Sequence, residues 1–578
     1  MNAVPSPADQ RIINMALLAG AIIILSSLAA YYNSFSGAFV FDDDMAIVQN
    51  PSIRSLWPIW GPLNPPVSSG GITVVGRPLL NLSFAVNYAI SGLEPWSYHL
   101  INMIIQALAA LMLFGIVRRT LLTPKLYRRF GPSSAWSFGL AAALLWMVHP
   151  LQTESVTYLS QRAESLAGML YLLTLYCFIR GTVSPAPLKW YLCTVAACLL
   201  GITCKEVLVS APLIALLYDR TFISSTFRES WRRRRWVYLS LAGTWLPSSM
   251  LVAAAHGPRA GAAGFEFISP FVYALTQCKA LALYLKLSFW PHPLVIDYGE
   301  KVVTSIRDVL WQGTVVVLLL AGTIIALRRK PVVGFLGAWF FLVLAPSSSV
   351  MPVATQTMAE HRMYLPLAAL VVLLVSGLHT LFGKRLWAIV IPLAMVLGGL
   401  TVRRNIDYRS ELAMWEKTVA QCPANPRAHQ NLGYSLWLAG RTPEAIKEYE
   451  IALRILPDYP RAHSGLGWIL FNSGRQSEAI DHYREALLLK PDLADAHMNL
   501  GIALFQRGNT QEAMGHLKEA VRLRPDIKTH GNLGFALALS GRYSEAVEHF
   551  KAVLQIEPKN ALAKRDLQEA LDSMRVTK

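Results

Sequence analysis

Three consecutive carboxylates, Asp42, Asp43 and Asp44, lie in the segment FVFDDDMAIVQNP, shortly after the first apolar run of the chain. Like charges this close repel one another and need a reason to be held together at a membrane edge. Three interpretations are open: a solvated helix end, ligands for a divalent cation such as Mg²⁺ or Mn²⁺, or a general base. A base beside the membrane surface suits a reaction between a lipid-anchored donor and a hydroxyl delivered from outside.

Further polar side chains interrupt the apolar sequence at the ends of its long runs. Cations that could hold a phosphate near the carboxylates are Arg77, Arg162, Lys205 and Arg362. The three arginines could instead lie at the membrane interface with their guanidinium groups in water. Polar groups that could support such a site are His99, His149, Glu154, Glu206, Glu360 and His361. The sequence contains no P-loop, GxSxG, HExxH or dinucleotide-binding fingerprint.

The elements that must position these groups are apolar runs long enough, or nearly so, to cross a bilayer. Eleven are found, at 12–32, 99–117, 135–149, 164–179, 189–204, 206–219, 236–255, 309–328, 332–346, 363–382 and 386–402. Another run, 271–290, contains Lys279 and Lys286, which are costly at the centre of a bilayer.

The charge distribution predicts the orientation of the spans. With the N-terminus inside and 271–290 excluded, every basic cluster beside the spans lies on the cytoplasmic side, as the positive-inside rule requires. We therefore predict a re-entrant or interfacial segment at 271–290. The same topology gives one outer face to the first loop 33–98, the segment 291–308, the loop 347–362 and the chain after 402.

The formal net charge of +17 is divided unevenly along the 578 residues. Residues 1–402 carry 29 basic and 15 acidic side chains, whereas residues 403–578 carry 24 and 21. The excess is thus mostly an orientation signal of the membrane part, which argues against a nucleic-acid partner. The six cysteines suggest neither a disulfide framework nor a CxxC metal pair.

The last part of the chain repeats with a period of 33–34 residues, which is typical of tetratricopeptide repeats. The period is kept by Gly433, Gly467, Gly501 and Gly534, and by Pro457, Pro491, Pro525 and Pro558. A histidine column also keeps it, at a position usually aromatic and in the core, so we do not read it as a metal site. Asparagines on the predicted groove face either grip a peptide backbone or form an ordinary polar face; they are Asn431, Asn499 and Asn532.

Taken together, the motifs FVFDDDMAIVQNP, GRPLLNLSFAVNY, HPLQTES with QRAES, CKE, EHRMYLP and NPRAHQNLG resemble the transmembrane and tetratricopeptide repeat-containing protein family. This resemblance implies a GT-C class protein O-mannosyltransferase that uses a polyprenyl-phosphate sugar. It also places Asp42 and Asp43 on the catalytic Asp pair of the family and Asp44 on a variable position. The four clear repeats and short loops resemble a bacterial member, with mannose or another hexose on a shorter carrier lipid.

The sequence therefore predicts an all-α chain: a polytopic bundle of about eleven spans, then a repeat solenoid. The predicted parts are a membrane domain 1–402, a linking helix 403–423, four repeats 424–559 and a capping helix 560–578. The expected activity is inverting sugar transfer to Ser/Thr of an exported protein bound by the repeats, at the outer face of a bacterial inner membrane. Two alternatives stay open: a non-catalytic envelope scaffold, or sugar transfer to a lipid or glycan.

Overall fold

The computed structural model describes residues 7–64, 71–254, 269–299, 302–348 and 356–576. Parts of the predicted outer segments 33–98, 291–308 and 347–362, and the end of the run 236–255, lie outside these ranges. Every regular element in the described ranges is helical, which confirms the all-α prediction.

The chain forms two compact units that divide after Met414, beyond the change in composition at 402/403. Residues beyond this change in composition still contact the first unit. The Asn405 Nδ2 donates to the Ala30 carbonyl at 2.9 Å, and the Phe41 amide donates to the Glu411 carboxylate at 3.3 Å. Each unit is described by itself below.

The first unit is built from fourteen helices of eight residues or more within the described ranges. Half of them begin at a proline, whose missing N–H needs no partner in the first turn. In chain order they are α1 Pro7–Tyr31, α2 Pro78–Ser91, α3 Trp96–Leu121, α4 Pro124–Met147, α5 Arg162–Val183, α6 Pro187–Ile202, α7 Ala211–Tyr218, α8 Phe227–Gly243, α9 Trp245–Ala254, α10 Pro270–Phe289, α11 Leu310–Arg329, α12 Pro331–Leu344, α13 Pro366–Phe382 and α14 Leu386–Asn405.

Five helical segments of the described residues are long and apolar enough to cross a membrane, and α4 with its bent continuation would make a sixth. The five are Asn14–Ser36, Trp96–Leu121, Leu159–Val183, Ile306–Arg329 and Pro366–Arg409. Two shorter apolar helices are α6 and α12. Since one of these segments contains two helices, the number of crossings in the predicted topology stays a prediction.

The segment Pro366–Arg409 folds back on itself. The Tyr364 carbonyl, just before α13, accepts from the indole of Trp146 at 2.8 Å, whereas His379 near its end contacts the Phe138 ring. In α14 the order is reversed: Trp387 donates to Ser137 at 2.6 Å, and Thr401 lies 2.7 Å from the Val148 carbonyl. The two helices are therefore antiparallel along α4, with the turn at Gly383 (φ 52°).

Helix α10 contains most of the run 271–290, for which the sequence predicts a re-entrant or interfacial segment. Along its length its side chains contact the 347–362 segment: Tyr273 donates to Ser347 at 2.9 Å, Gln277 to Thr357 at 3.0 Å, and the Tyr284 hydroxyl accepts from the Ala359 amide at 2.9 Å. A helix passing from one side of the bundle to the other would leave this segment after one or two turns. The contacts thus favour a helix that follows the segment.

The second unit is a stack of helical hairpins. Each repeat glycine faces the aromatic or apolar residue of its partner helix, so that a Cβ at Gly433 would lie 2.6 Å from the Tyr449 ring. This close approach of the two helices explains why a glycine recurs every 33–34 residues in the sequence. The helices are α15 Glu411–Gln421, which starts in the first unit, then α16 Pro426–Leu438, α17 Thr442–Ile455, α18 Pro460–Asn472, α19 Gln476–Leu489, α20 Ala494–Gln506, α21 Thr510–Leu523, α22 Ile527–Leu539, α23 Tyr543–Ile556 and α24 Ala561–Val576.

Candidate active site

A turn in an unusual backbone conformation presents the Asp cluster. Phe41 has φ 48°, and within the described ranges it is the only residue other than glycine with positive φ. This conformation costs an ordinary residue of order 1–3 kcal/mol and tends to persist at functional sites. The next residue, Asp42, is half-buried, and its amide donates to the Tyr158 hydroxyl at 3.0 Å.

Asp43 is fully buried and ties the turn to the segment before α5. One carboxylate oxygen accepts from the Val40 amide at 3.1 Å, and the other accepts from the Ser160 amide at 2.6 Å. Burial raises the pKa of the Asp43 carboxyl to about 7, against these two hydrogen bonds. With both oxygens engaged, Asp43 is placed to position the turn, whereas Asp42 is the more open carboxylate.

Arg162 begins α5 and is fully buried. Its three nitrogens donate to amide, hydroxyl and carbonyl oxygens, and its guanidinium lies 4.7 Å from the Phe84 ring centroid. The partners are Asn102 at 2.5 Å, Asn87 at 2.6 Å, Tyr98 at 3.0 Å, and the hydroxyl and carbonyl of Ser83 at 3.1 and 3.2 Å. This arrangement makes Arg162 a structural anchor rather than a residue open to a ligand.

Arg362 is engaged in a similar way. Its Nη2 nitrogen donates to the Gln356 carbonyl at 2.6 Å and its Nη1 nitrogen to the Thr357 carbonyl at 2.9 Å. The Tyr273 hydroxyl of α10 lies 3.5 Å from the same Nη1 nitrogen. Arg362 therefore fixes the segment before α13 against α10, and it too has little capacity left for a phosphate.

Arg77 and Lys205 are the more accessible cations of the predicted set, with exposed side-chain fractions of 18% and 14%. Arg77 donates to the Thr73 carbonyl at 2.9 Å but lies 3.8 Å from the Glu206 carboxylate, a long ion pair. Lys205 forms an ion pair with Glu164. The turn Asp44–Val48 packs against the helix Gly71–Val74, which ends three residues before Arg77.

The remaining acidic residues form a buried network around Glu360-His361. Both Glu154 oxygens accept from His361, the amide and Nδ1 each at 2.8 Å. Glu360 accepts from the Val295 amide at 2.6 Å and the Tyr298 hydroxyl at 3.0 Å. Burial raises the pKa of Glu360 to about 7, and burial together with the charge of Lys205 lowers the pKa of His361.

Residues that the sequence analysis missed connect this network to the Asp loop. Arg404, at the end of α14, lies 3.5 Å from the Glu360 carboxylate and 3.4 Å from the Tyr408 hydroxyl. Tyr408 in turn stacks on Tyr158, the partner of the Asp42 amide, with ring centroids 6.2 Å apart. The sequence did contain a signal for Arg404. The predicted topology places the end of the last span on the outer face, where the positive-inside rule does not expect a cation.

The two other predicted histidines act in packing. Nε2 of His99 lies 3.4 Å from the Gly37 carbonyl, and a Cβ at Gly37 would come within 2.9 Å of this nitrogen. Nδ1 of His149 accepts from the Leu151 amide at 3.2 Å, and its Nε2 lies 3.2 Å from the Ser288 carbonyl in α10. Both side chains are buried, and their ring nitrogens contact backbone groups.

Within the described ranges, no three or more His, Cys, Asp or Glu side chains are grouped so that they could hold a metal ion. Asp43 already uses both oxygens on backbone amides, and Asp44 accepts from Gln49. The proposal below therefore assigns no step to a divalent cation.

In the second unit, the predicted groove asparagines are half-buried; they are Asn431, Asn499 and Asn532. Each lies on the first helix of its repeat, and these first helices contact one another along the stack. An aromatic cluster is next to Asn431: Trp437 and Trp468 lie with ring centroids 4.0 Å apart, and Tyr434 is exposed. The Asn532 amide lies 3.3 Å from the Met498 sulfur. This face therefore combines amide and aromatic groups, as peptide-binding surfaces do.

Comparison with known proteins finds similarities in both units. Tetratricopeptide repeat models match residues 407–460, 467–508, 494–527 and 527–560. Solved structures similar to the repeats include a thermophilic TPR protein of Thermus thermophilus (20% identity, 30% of this chain, 94% of that chain, TM-score 0.26) and MamA (24%, 28%, 95% and 0.24).

Three relatives align with about three quarters of this chain. The protein O-mannosyl-transferase TMTC1 of Homo sapiens is 25% identical over 76% of this chain and 55% of its own length. Tmtc1 of Drosophila melanogaster is 27% identical over 74% and 59%, and TMTC4 of Mus musculus 27% over 73% and 64%. The chain thus spans roughly three fifths of the relatives that it matches. By its apolar helices, its repeats and this similarity, the chain is a membrane protein homologous to the TMTC protein O-mannosyl-transferases.

Proposed function

We propose that this chain transfers a sugar, mannose or another hexose, from a polyprenyl phosphate to Ser or Thr of an exported polypeptide. The observation that carries the proposal is the strained turn that presents the half-buried Asp42 while Asp43 is locked to two backbone amides. The similarity to proteins named protein O-mannosyl-transferases supports the same chemistry. The asparagine and aromatic face of the repeats would bind the acceptor.

In the proposed reaction, Asp42 takes the proton of the acceptor hydroxyl as its oxygen forms a bond to the anomeric carbon. The bond between that carbon and the lipid-phosphate oxygen breaks, and its electron pair leaves with the phosphate. Attack from the face opposite the phosphate inverts the configuration. Arg77 and Lys205 would stabilise the departing charge, whereas Arg162 and Arg362 hold the loops in place.

We further propose that the site faces the outside of a bacterial inner membrane, with the N-terminus in the cytoplasm. The charge bias of the spans supports this orientation, and the contacts of α10 with the 347–362 segment support an interfacial position for that helix. Such a site would meet a lipid-linked donor in the membrane and an acceptor arriving from the export machinery.

The experiment that tests the proposal is intact-mass glycoproteomics of exported proteins from wild-type and deletion strains. Loss of one hexose on particular proteins, restored by the wild-type gene and not by Asp42→Asn, is expected. Unchanged glycosylation under conditions in which the protein is expressed would contradict the proposal and favour the scaffold.

A further inference from the structure

An apolar groove runs between the helices of the bundle, from the first turn of α13 to the last turns of α3 at the end of the bundle opposite to the candidate active site. It encloses about 370 Å³, which falls at the lower end of the roughly 300–1,000 Å³ of typical small-molecule sites. The last turns of α3, the first half of α4, and parts of α5, α12 and α13 form its walls. None of the candidate active-site residues lines it.

The position of the groove follows from the direction of these helices. Helix α3 begins beside the active-site loops, and its residues Ile116 to Leu121 line the groove about twenty residues later. At 1.5 Å per residue this is about 30 Å, the thickness of the hydrocarbon core. A phosphate bound near Asp42 therefore lies in the leaflet opposite to the one that contains Ile116 to Leu121.

The interior of the groove is apolar. Part of its lining is an aromatic cluster in which Phe335 lies 5.1 Å from Phe222 and 5.8 Å from Tyr218, measured between ring centroids. The Tyr218 hydroxyl, one of the polar groups of the lining, is paired with the Thr120 hydroxyl at 2.8 Å. The lining thus suits a hydrocarbon chain rather than a polar ligand.

The mouth of the groove is basic. Arg129 and Lys330 both line it and are exposed, and Arg129 lies over the Phe130 ring at 5.4 Å. The acidic residues of the neighbouring segments are already paired, since Asp219 binds Arg234 at 2.8 Å and Glu229 binds Arg233 at 2.9 Å. The positive charge of the mouth is therefore available to an anion at the membrane surface.

We propose that this groove binds one anionic glycerophospholipid, with an acyl chain between α3 and α12 and the headgroup phosphate between Arg129 and Lys330. Basic pockets between membrane helices on the cytoplasmic side are suited to such headgroups. Charge complementarity favours an anionic lipid over a zwitterionic one. The leaflet position distinguishes this lipid from the sugar donor proposed above.

The test is native mass spectrometry of the full-length protein after delipidation and titration with dioleoyl phosphatidylglycerol, the phosphatidylcholine of the same chains, or undecaprenyl phosphate. We expect one phosphatidylglycerol retained in preference to phosphatidylcholine. Arg129→Gln/Lys330→Gln should reduce this retention about tenfold. A matched control, Arg232→Gln/Arg235→Gln, removes two exposed cations that do not line the groove and should leave retention unchanged.

Val333→Trp, near the mouth, should block both phospholipids without removing a charge, and thermal unfolding verifies that each variant is folded. Equal retention of the two phospholipids, or a double variant that behaves like its control, would overturn the proposal. Displacement of phosphatidylglycerol by undecaprenyl phosphate would overturn it as well, since the groove would then hold the donor tail.

Discussion

At the scale of single residues, Asp42 and Asp43 have opposite environments although they are neighbours in the chain. Asp42 is half-exposed beside the Tyr158 hydroxyl, whereas both oxygens of Asp43 bind backbone amides. A general base needs access to the acceptor, and a positioning residue needs fixed partners. These contacts support the division of roles that we propose, with Asp42 as the base and Asp43 as the positioning residue.

Asp43→Asn should reduce the free energy of unfolding by about 1–3 kcal/mol, because its amide group cannot accept from both Val40 and Ser160. Asp44→Asn is the matched control, since Asp44 binds Gln49 at the surface. Thermal unfolding of both variants in the same detergent measures the difference. Equal stability of the two variants would remove the positioning role from Asp43.

The cations make a similar contrast. Arg77→Gln should lower kcat/KM for the lipid donor by about 10²-fold while leaving the fold intact. Lys205→Gln should lower it similarly and should also reduce stability, because the buried Glu164 carboxylate loses its partner. Arg162→Gln should instead destabilise the protein, since it leaves buried groups such as Asn102 without their donor. Donor titrations and unfolding curves of the three variants separate the two effects. Full activity of the double variant Arg77→Gln/Lys205→Gln would refute the proposal that these two cations stabilise the lipid phosphate.

At the scale of elements, the repeats contain histidine pairs that link the two helices of a hairpin. Nδ1 atoms lie 3.0 Å apart for His463 and His482 and 2.9 Å apart for His497 and His516. His463 Nε2 faces the Pro457 carbonyl, which can only accept, so Nε2 carries the proton and Nδ1 accepts from His482. Such a pair loses its hydrogen bond when both rings are protonated.

Acid should therefore destabilise the repeats. Burial, and next the charge of the paired ring, lower the pKa values of His482, His516 and His549. Their contribution is present above the unfolded pKa of about 6.5 and is lost as the pH falls through the lower folded values. The test is to measure the unfolding midpoint of the repeats at about pH 7.5 and at about pH 5, by hydrogen exchange of peptides from the repeats. Replacing all three by Phe should flatten the difference; equal midpoints in the wild type would contradict it.

Elements also show what sequence reasoning can and cannot reach. The repeats were predictable because Gly433 and Tyr449 must keep their spacing wherever two helices pack this closely. The burial of Arg162 and Arg362 was not, because nothing in their spacing indicates that distant loops supply their partners. The pair of Arg404 with Glu360 likewise depends on the fold of α14 beside the segment before α13.

At the scale of the whole molecule, we assign sugar transfer to the first unit and acceptor binding to the second. Removal of residues 415–578 should abolish transfer to polypeptide acceptors while binding of the lipid donor continues. Donor binding by native mass spectrometry and peptide transfer by the same preparation measure the two separately. Full peptide transfer by the truncated chain would assign the acceptor site to the membrane unit.

The most direct test of the central claim is transfer of mannose from a synthetic polyprenyl-phosphate mannose to a Ser/Thr peptide by the purified full-length protein. We predict transfer with inversion by the wild type and by Asp44→Asn, and a loss of about 10²–10⁴-fold in Asp42→Asn at unchanged thermal stability. Undiminished transfer by Asp42→Asn would contradict the assignment of Asp42 as the base.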